Sequence, residues 1–318
     1  MPVVFVPERI ASPAMDLLRG HCDVVAPWLA DERTEEDAWM RADAVIVRRR
    51  RVGGSELERA PSLKVIAKHG VGLDNIDLDA ARSRGVVVVS TPAANSNAVA
   101  EFTVALMLGL ARRLVTAVQL GTQWGAGEEP RIDGIELMGK TLGLVGLGRV
   151  GSRVGEIAGY GLRMRVVGYD PALPVGVARD PAEVAGCLED VLCQADVLSL
   201  HVPLTAETMG LVNAERLGML KRGCCIINTS RGGVIDEGAL LAALDAGRVR
   251  GAALDVFETE PLPAEHPLRR DPNVLLTPHV ASATREALEK MAMEAVEGVL
   301  DVLAGRLPKY PVTPEVRT

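Results

Sequence analysis

The stretch Leu142-Gly-Leu-Val145-Gly-Leu-Gly-Arg-Val-Gly151 decides the fold of the second half of the chain. An apolar strand pattern, Leu142–Val145, runs into a G-x-G-x-x-G motif at Gly146, Gly148 and Gly151, and a helix pattern follows. The first glycine permits a tight turn, the second lets the backbone approach a pyrophosphate, and the third permits close packing of helix and strand. The flanking strand and helix therefore favour a dinucleotide site over a structural turn without ligand.

Polar residues at the ends of the following strands complete the expected cofactor site. Asp170 follows the next strand, where a carboxylate accepts hydrogen bonds from ribose hydroxyls and repels a 2′-phosphate, so NAD is favoured over NADP. His201-Val202-Pro203 and Thr229-Ser230 end two further strands, and the carboxyl ends of parallel strands line the ligand crevice. The alternatives are that Asp170 is only a strand-end residue at the turn before Pro171, and that His201 has a structural role.

Short β-branched runs alternate with helical patterns, which predicts an α/β fold with two doubly wound parallel sheets. Between two series of strands, Asn97–Leu120 has the pattern of a single connecting helix, and an exposed loop, Gly121–Gly139, follows it. A last helix is expected over Thr284–Leu303. The strand candidates are Val3–Val6, Val24–Ala26, Ala44–Val47, Leu63–Ala67 and Val86–Val89, then Leu142–Val145, Arg165–Tyr169, Val197–His201, Cys225–Asn228, Ala252–Val256 and Val274–Thr277.

Composition and charge argue against several classes of function. The chain has 318 residues, of which 48% are hydrophobic and 24% charged, so we expect about two folded domains. A net charge of -7 argues against a nucleic-acid binder, and no apolar run reaches the roughly 18 residues of a membrane span. The first seven residues are typical of a strand rather than a signal peptide, and the scattered cysteines lack metal-ligand spacing. We therefore expect a cytoplasmic protein without metal, membrane or nucleic acid as partner.

Three ionisable residues occur in distinctive settings in the last third of the chain. Arg231 can hold a substrate carboxylate, His279 can move a proton, and a carboxylate can tune the imidazole, as hydride transfer to a 2-keto acid requires. Spacing alone leaves Glu258 and Glu260 open as that carboxylate. The three segments are Asn228-Thr-Ser-Arg-Gly-Gly-Val-Ile-Asp-Glu237, Asp255-Val-Phe-Glu-Thr-Glu-Pro261 and Thr277-Pro-His-Val-Ala-Ser-Ala283.

These motifs together resemble the D-isomer-specific 2-hydroxyacid dehydrogenases, and within them the phosphoglycerate dehydrogenases. The resemblance covers nearly the whole chain, with several motifs in one order. Because the sequence ends at Thr318, the expectation is a short form without the C-terminal regulatory domain. The motifs are Gly70-Val-Gly-Leu-Asp-Asn-Ile-Asp77, Thr91-Pro-Ala-Ala-Asn-Ser-Asn-Ala-Val-Ala-Glu101, Gly146–Gly151, Asn228–Glu237, Asp255–Pro261 and Thr277–Thr284.

The resemblance implies a role for individual residues. Arg231 matches the arginine that binds the substrate carboxylate, His279 the acid/base, and Glu260, rather than Glu258, the carboxylate paired with the imidazole. The other implied substrate-binding positions are Val71, Gly72 and Asn95, the first two through backbone amides. The implied cofactor contacts are Arg149, Val150, Asp170, Thr229, Asp255 and Ala281, beside the glycines and strand ends described above.

The resemblance also implies an architecture and a partner. A flavodoxin-like substrate domain would comprise 1–98 plus 285–318, and an inserted Rossmann NAD-binding domain 99–284. The connector helix and the loop with Trp124 resemble the segment that builds a homodimer in relatives. We therefore expect a homodimer that uses NAD and acts on a small 2-hydroxy or 2-keto acid.

Two cations bear on the class of substrate. Arg48, the first residue of Arg48-Arg-Arg-Arg51, falls where phosphoglycerate dehydrogenases carry a phosphate-binding arginine, and Lys68 falls where relatives carry an arginine near the phosphate. Two such cations favour a substrate with a second anionic group, such as 3-phosphoglycerate or sulfolactate. Lys68-His69 departs from the Arg-Ala of phosphoglycerate dehydrogenases, so hydroxypyruvate or glyoxylate reduction is the alternative.

Other functions on the same fold are also open to the sequence. A formate-type enzyme would carry glutamine rather than glutamate beside its histidine, so Glu260 argues against it, whereas phosphite oxidation stays open. A rival from another class is an NAD-sensing corepressor, which keeps this fold and these three residues but acts through partner peptides. Turnover of a keto acid would separate the enzyme from the binding protein.

Overall fold

The computed structural model describes residues 1–29, 34–125, 131–174, 177 and 180–312, and the chain divides into two compact units. The first unit comprises Met1–Asn95 and Ala283–Thr318, and the second is the continuous insertion Ser96–Ser282. The boundaries expected from the sequence, 98/99 and 284/285, lie two or three residues further along the chain. The assignment of substrate binding to one unit and NAD binding to the other stays a prediction.

Strands and helices alternate along both units, as the sequence pattern predicts. The strands are β1 (Val3–Phe5), β2 (Asp23–Val25), β3 (Ala44–Val47), β4 (Val65–Lys68), β5 (Val87–Val89), β6 (Thr141–Val145), β7 (Arg165–Tyr169), β8 (Ala182–Val184), β9 (Val197–Leu200), β10 (Cys224–Asn228), β11 (Val249–Leu254) and β12 (Val274–Leu276). The helices are α1 (Ser12–Arg19), α2 (Glu35–Arg41), α3 (Gly54–Glu58), α4 (Leu78–Ser83), α5 (Ser96–Ala111), α6 (Leu114–Gln123), α7 (Arg149–Glu156), α8 (Leu188–Gln194), α9 (Ala214–Met219), α10 (Glu237–Asp245) and α11 (Arg285–Leu303).

The first unit is a five-stranded parallel sheet in the order β2-β1-β3-β4-β5, the order of flavodoxin-like folds. Every residue of β3 is buried, because helices cover both faces of a parallel sheet. Helix α11 begins where the side chain of Thr284 accepts a hydrogen bond from the Ala287 amide. Its apolar side chains join the core formed by α1 and the sheet, so the end of the chain completes the first unit.

The second unit is a seven-stranded parallel sheet in the order β12-β11-β10-β9-β6-β7-β8. The first strand, β6, lies inside the sheet, and the chain reverses its direction of winding between β7–β8 and β9. Ligands bind at the carboxyl ends of strands around such a switch point. The sequence predicted six strands, and the structure adds β8 at the edge. Its three residues, Ala-Glu-Val, are too few and too polar to form an apolar run.

The predicted single connector helix is two helices in the structure. Helix α5 packs on the second sheet, whereas α6 leaves it after Arg113, whose φ of 49° is left-handed. No glycine or proline marks this break, so a pattern based on such residues could not predict it. Leu114, Val115 and Val118 of α6 are more than half exposed. No helix in the described part of the chain is long and apolar enough to cross a membrane.

Candidate active site

The glycine motif forms a tight turn between β6 and α7 that leaves room for phosphates. Gly146 has a φ of 95°, and a Cβ there would lie 2.8 Å from the carbonyl oxygen of His201. A Cβ on Gly151 would collide with the Gly146 carbonyl oxygen, whereas a Cβ on Gly148 would meet no described atom within 4 Å. The turn is therefore closed on its protein side and open at Gly148, before the N-terminus of a helix, as a dinucleotide pyrophosphate requires.

Asp170 is fixed beside this turn by two backbone amides. One carboxylate oxygen accepts a hydrogen bond from Leu147 at 2.9 Å, and the other from Ala172 at 3.0 Å. The half-buried carboxylate thus lies at the end of β7, next to the glycine turn. This is the position at which a carboxylate binds ribose hydroxyls in Rossmann domains.

Several other predicted cofactor contacts have partners inside the protein. Ser199 Oγ and His201 Nε2 lie 2.9 Å apart, and burial lowers the pKa of His201 to about 4, so its imidazole is neutral near pH 7. Thr229 Oγ1 lies 2.8 Å from Thr103 Oγ1, and Ser230 Oγ donates to Asn228 Oδ1. The remaining predicted contacts lie after β9 (Val202, Pro203) and in the first turn of α7 (exposed Arg149, half-buried Val150).

His279 and Glu260 form a hydrogen-bonded pair. His279 Nδ1 lies 2.8 Å from Glu260 Oε2, and Glu260 Oε1 accepts a hydrogen bond from the Phe257 amide at 3.2 Å. Because Nδ1 faces a carboxylate, this nitrogen carries the proton and Nε2 is the nitrogen suited to a substrate oxygen. The side chains are 40% and 37% exposed, so small molecules can reach them. Of the two glutamates that spacing could not separate, Glu260 is the one at His279.

Asp255 fixes the loop that carries His279. Its carboxylate has no exposed surface and accepts three hydrogen bonds from the segment after β12. One oxygen accepts from Thr277 Oγ1 at 2.6 Å and from the Val280 amide at 2.9 Å, and the other accepts from the Ala281 amide at 2.8 Å. This bracing accompanies a left-handed φ of 55° at His279, a conformation that few non-glycine residues adopt without support. Cofactor contacts by Asp255 and Ala281 stay predictions.

Arg231 follows β10 in a loop fixed by Asn228. The Asn228 side chain donates to the Arg231 carbonyl at 2.9 Å and accepts from the Ser230 amide at 3.0 Å. Arg231 Nη1 donates to the Ser230 carbonyl at 2.7 Å, and the residue is half-buried. The adjacent strands β10, β11 and β12 thus end in the segments with Arg231, Glu260 and His279. The fold brings the three predicted catalytic residues to one edge of the second sheet.

The predicted cations of the first unit belong to a network that the sequence did not reveal. The amides of Arg48, Arg49 and Arg50 donate to the Glu8 carboxylate at 2.6, 2.9 and 3.0 Å. Burial opposes ionisation of Glu8, but these amides and the Lys68 charge hold its pKa below the ordinary value. The signal that could have predicted this network is an acidic residue, Glu8, shortly after the end of β1, the strand that pairs with β3.

Lys68 has two acceptors inside the first unit. Its ammonium donates to the Arg48 carbonyl and to Asn75 Oδ1, both at 2.5 Å. The Asn75 side chain in turn donates to the Arg50 carbonyl at 2.5 Å. Lys68 therefore supports the backbone of the arginine run, a task that the sequence did not suggest.

The loop with Val71 and Gly72 is held by a buried threonine. Thr91 Oγ1 accepts from the Gly70 amide at 3.0 Å and donates to the Gly70 carbonyl at 3.1 Å. Val71 is 43% exposed, and Gly72 and Asn95 are half-buried. All three lie in the first unit and follow β4 or β5. Their contact with a substrate stays a prediction.

Comparison with known proteins decides the family. A family model described as D-isomer specific 2-hydroxyacid dehydrogenase, NAD binding domain, matches residues 104–281. A glyoxylate reductase of Thermofilum pendens is 40% identical over 99% of this chain and 95% of its own length. The chain belongs to the D-isomer specific 2-hydroxyacid dehydrogenase family. It is accordingly an oxidoreductase acting on CH–OH donors, and NAD is its cofactor.

Relatives within this dehydrogenase family differ in substrate. A D-3-phosphoglycerate dehydrogenase of Methanocaldococcus jannaschii is 42% identical over 96% of this chain, which spans 58% of that relative. A solved structure of D-lactate dehydrogenase from Aquifex aeolicus, complexed with NAD and lactic acid, has a TM-score of 0.85 and 30% identity. The match covers 98% of this chain and 100% of the chain in that structure.

In the described residues, no group of three or more His, Cys, Asp or Glu could hold a metal ion.

Proposed function

We propose that this dehydrogenase interconverts a D-2-hydroxy acid and its 2-keto acid through Arg231, Glu260 and His279. The observation that carries the proposal is the 2.8 Å hydrogen bond between His279 Nδ1 and Glu260 Oε2, at the sheet edge that also bears Arg231. When bound, NAD would supply the hydride chemistry between its nicotinamide C4 and C2 of the substrate. Asp170 and the open turn at Gly148 are the residues that would hold it.

Each member of the trio has a defined task in this reaction. The Arg231 guanidinium binds the substrate carboxylate, because its planar fork offers two parallel N–H donors. The Nε2 of His279 gives a proton to the C2 oxygen during reduction and takes it back during oxidation. Glu260 accepts a hydrogen bond from Nδ1 and so holds the orientation of the imidazole. The amides of Val71 and Gly72, and the Asn95 side chain, are further proposed contacts with the substrate.

We propose that the substrate carries a second anionic group, as 3-phosphoglycerate does, and that Arg48 is the principal contact for it. Arg48 lies at the end of β3 with its backbone fixed by Glu8. Lys68 would contribute mainly through its hold on the Arg48 carbonyl. The alternative is a small keto acid such as glyoxylate or hydroxypyruvate. Two observations favour this second candidate. A glyoxylate reductase is 40% identical to this chain, and the Lys68 ammonium already donates hydrogen bonds within the protein, to the Arg48 carbonyl and Asn75 Oδ1.

A substrate screen tests the second anionic group. With NADH, we expect kcat/KM for 3-phosphohydroxypyruvate or sulfopyruvate to exceed that for glyoxylate and hydroxypyruvate. Arg48→Gln should reduce this preference by about tenfold, because a charge-assisted contact worth about 1.5 kcal/mol or more is lost. Arg51→Gln, on an exposed side chain of the same run, is the matched control. Equal rates on both classes of acid in the wild-type enzyme would favour the glyoxylate or hydroxypyruvate reductase instead.

Asp170 is proposed to select NAD over NADP. Its carboxylate would repel a 2′-phosphate, and like charges in contact cost several kcal/mol. In Asp170→Ala, the ratio of kcat/KM with NADH to kcat/KM with NADPH should fall by about tenfold or more. Steady-state assays with both cofactors measure the ratio, and Glu215→Gln on the exposed surface of α9 is the control. An unchanged ratio in Asp170→Ala would remove Asp170 from cofactor selection.

We infer that the enzyme works in the cytoplasm as a homodimer formed through α6 and the segment that follows it. The proposal is supported by the apolar surface of that helix, where Leu114, Val115 and Val118 are 55%, 51% and 59% exposed. Trp124 is 73% exposed just beyond the helix. Contiguous apolar side chains of this kind mark contact surfaces in soluble proteins.

A further inference from the structure

Two glutamates join the loop that carries Arg231 to the loop that carries Glu260. The Glu237 amide donates to Glu258 Oε1 at 3.0 Å, and the Glu258 amide donates to Glu237 Oε1 at 2.8 Å. Each residue therefore gives its backbone N–H to the other's carboxylate. Glu237 begins α10 directly after the Arg231 loop, and Glu258 lies two residues before Glu260. The reciprocal pair fixes the two loops at a defined distance.

The backbones of the two loops are also in direct contact. A Cβ built on Gly232, the residue after Arg231, would collide with the Phe257 carbonyl and the Glu258 amide nitrogen. Only a glycine fits at this approach. Arg231 is thus adjacent in sequence to the residue that makes this backbone contact. On the other loop, Glu260 lies two residues after Glu258.

The contact between the two loops is made by carboxylates and backbone amides rather than by apolar side chains. Glu237 is only 6% exposed, and burial, together with the nearby Glu258 charge, raises its pKa. His266 Nε2 lies 3.2 Å from Glu237 Oε2, and His266 Nδ1 accepts from the Leu268 amide, so Nε2 bears the proton. Buried carboxylates are costly unless their oxygens are hydrogen-bonded, and this arrangement gives directional bonds that apolar side chains cannot.

We propose that Glu258 and Glu237 are positioning residues, which hold Arg231 in register with the Glu260–His279 pair. This inference rests on the proposed function, because it gives Arg231 the substrate carboxylate and His279 the proton. The sequence motif places two acidic residues, Glu258 and Glu260, two positions apart, and the proposal gives them different tasks. Glu260 contacts the imidazole, and Glu258 acts through the backbone of the neighbouring loop.

The test compares Glu258 variants in the full-length enzyme, with NADH and either glyoxylate or 3-phosphohydroxypyruvate. Glu258→Ala should raise KM by about 10- to 100-fold, because a shift of about 1 Å in a binding group has effects of that size. NADH affinity, measured by fluorescence titration, should stay within about twofold of wild type. Glu258→Gln should restore most of the lost kcat/KM, since its amide oxygen still accepts from Glu237. Glu265→Ala, with an 84% exposed side chain, is the matched control.

The Glu258→Ala substitution in an Arg231→Lys enzyme separates a positioning role of Glu258 from a general effect on stability. If Glu258 acts through Arg231, Glu258→Ala should change kcat/KM by less than about threefold in an Arg231→Lys enzyme. Equal losses in both backgrounds, or no rescue by Glu258→Gln, would overturn the proposal. If Glu258→Ala does not fold, Glu258→Asp serves, and a wild-type KM in that variant would also overturn it. An Arg231→Lys enzyme with wild-type kcat/KM would instead refute the proposed role of Arg231.

Discussion

Replacing His279 by alanine is expected to lower kcat by about 10²- to 10⁴-fold, the usual contribution of a positioned acid or base. The imidazole is the group proposed to exchange a proton with the C2 oxygen, and alanine leaves no substitute on this loop. NADH affinity and the melting temperature should change little, because the side chain is 40% exposed and Asp255 still braces the loop. Single-turnover measurements at saturating keto acid, with NADH titrations, would test the expectation.

Two variants sharpen the His279 test. Glu260→Gln keeps an acceptor for Nδ1 but removes the charge, so its loss of kcat should be smaller than that of His279→Ala. His21→Ala, in the first unit and exposed, is the control for the removal of a histidine. A His279→Ala enzyme that turned over at the wild-type rate would exclude the histidine as the acid and base.

Replacing Arg231 by alanine is expected to raise KM strongly and to lower kcat/KM by about 30- to 1000-fold. The basis is a loss of about 2–4 kcal/mol when one partner of a desolvated, hydrogen-bonded charge pair is truncated. Arg231→Lys keeps the charge without the planar fork, so its effect should be intermediate. The assay is steady-state kinetics with NADH and a series of keto acids.

The Arg231 prediction has an internal check. The substrate carboxylate is common to all 2-keto acids, so Arg231→Ala should impair every one of them by a similar factor. Arg48→Gln, by contrast, should impair only the acids with a second anionic group. Arg222→Ala, on an exposed side chain before β10, controls for the lost charge. A selective effect of Arg231→Ala on the doubly anionic acids would reverse the two assignments.

The parts of the fold that the sequence predicted are those with a local pattern. Ala44–Val47 and Arg165–Tyr169 were predicted to the residue, because each contains consecutive β-branched residues. Strand β8 was missed, because its three residues form no apolar run. They become a strand by pairing with β7, and this pairing depends on the tertiary structure. The left-handed Arg113 that splits the connector has no signal in local sequence either.

For the site too, residues in local motifs could be predicted, whereas contacts between distant segments could not. The local motifs predicted Arg231 and His279, the family resemblance chose Glu260 over Glu258, and the sheet order brings the three loops to one edge. Partners far apart in sequence were not predictable. Glu8 reaches the amides of residues 48–50, and the Asp255 carboxylate is used by the segment at 277–281. Such pairs depend on which strands become neighbours, which residue types alone do not determine.

The discontinuous first unit has a consequence for synthesis on the ribosome. Its hydrophobic core includes Ala292, Ala295, Val296 and Val299 of α11, which are translated after the entire second unit. Nascent domains usually fold as units in the order in which they emerge. Here residues 1–95 have only α1 on the face of the sheet that α11 covers until α11 is translated, whereas the inserted unit, Ser96–Ser282, can already fold. The apolar side chains that α11 covers therefore stay exposed until α11 has been translated, and exposed hydrophobic surface of this kind promotes aggregation.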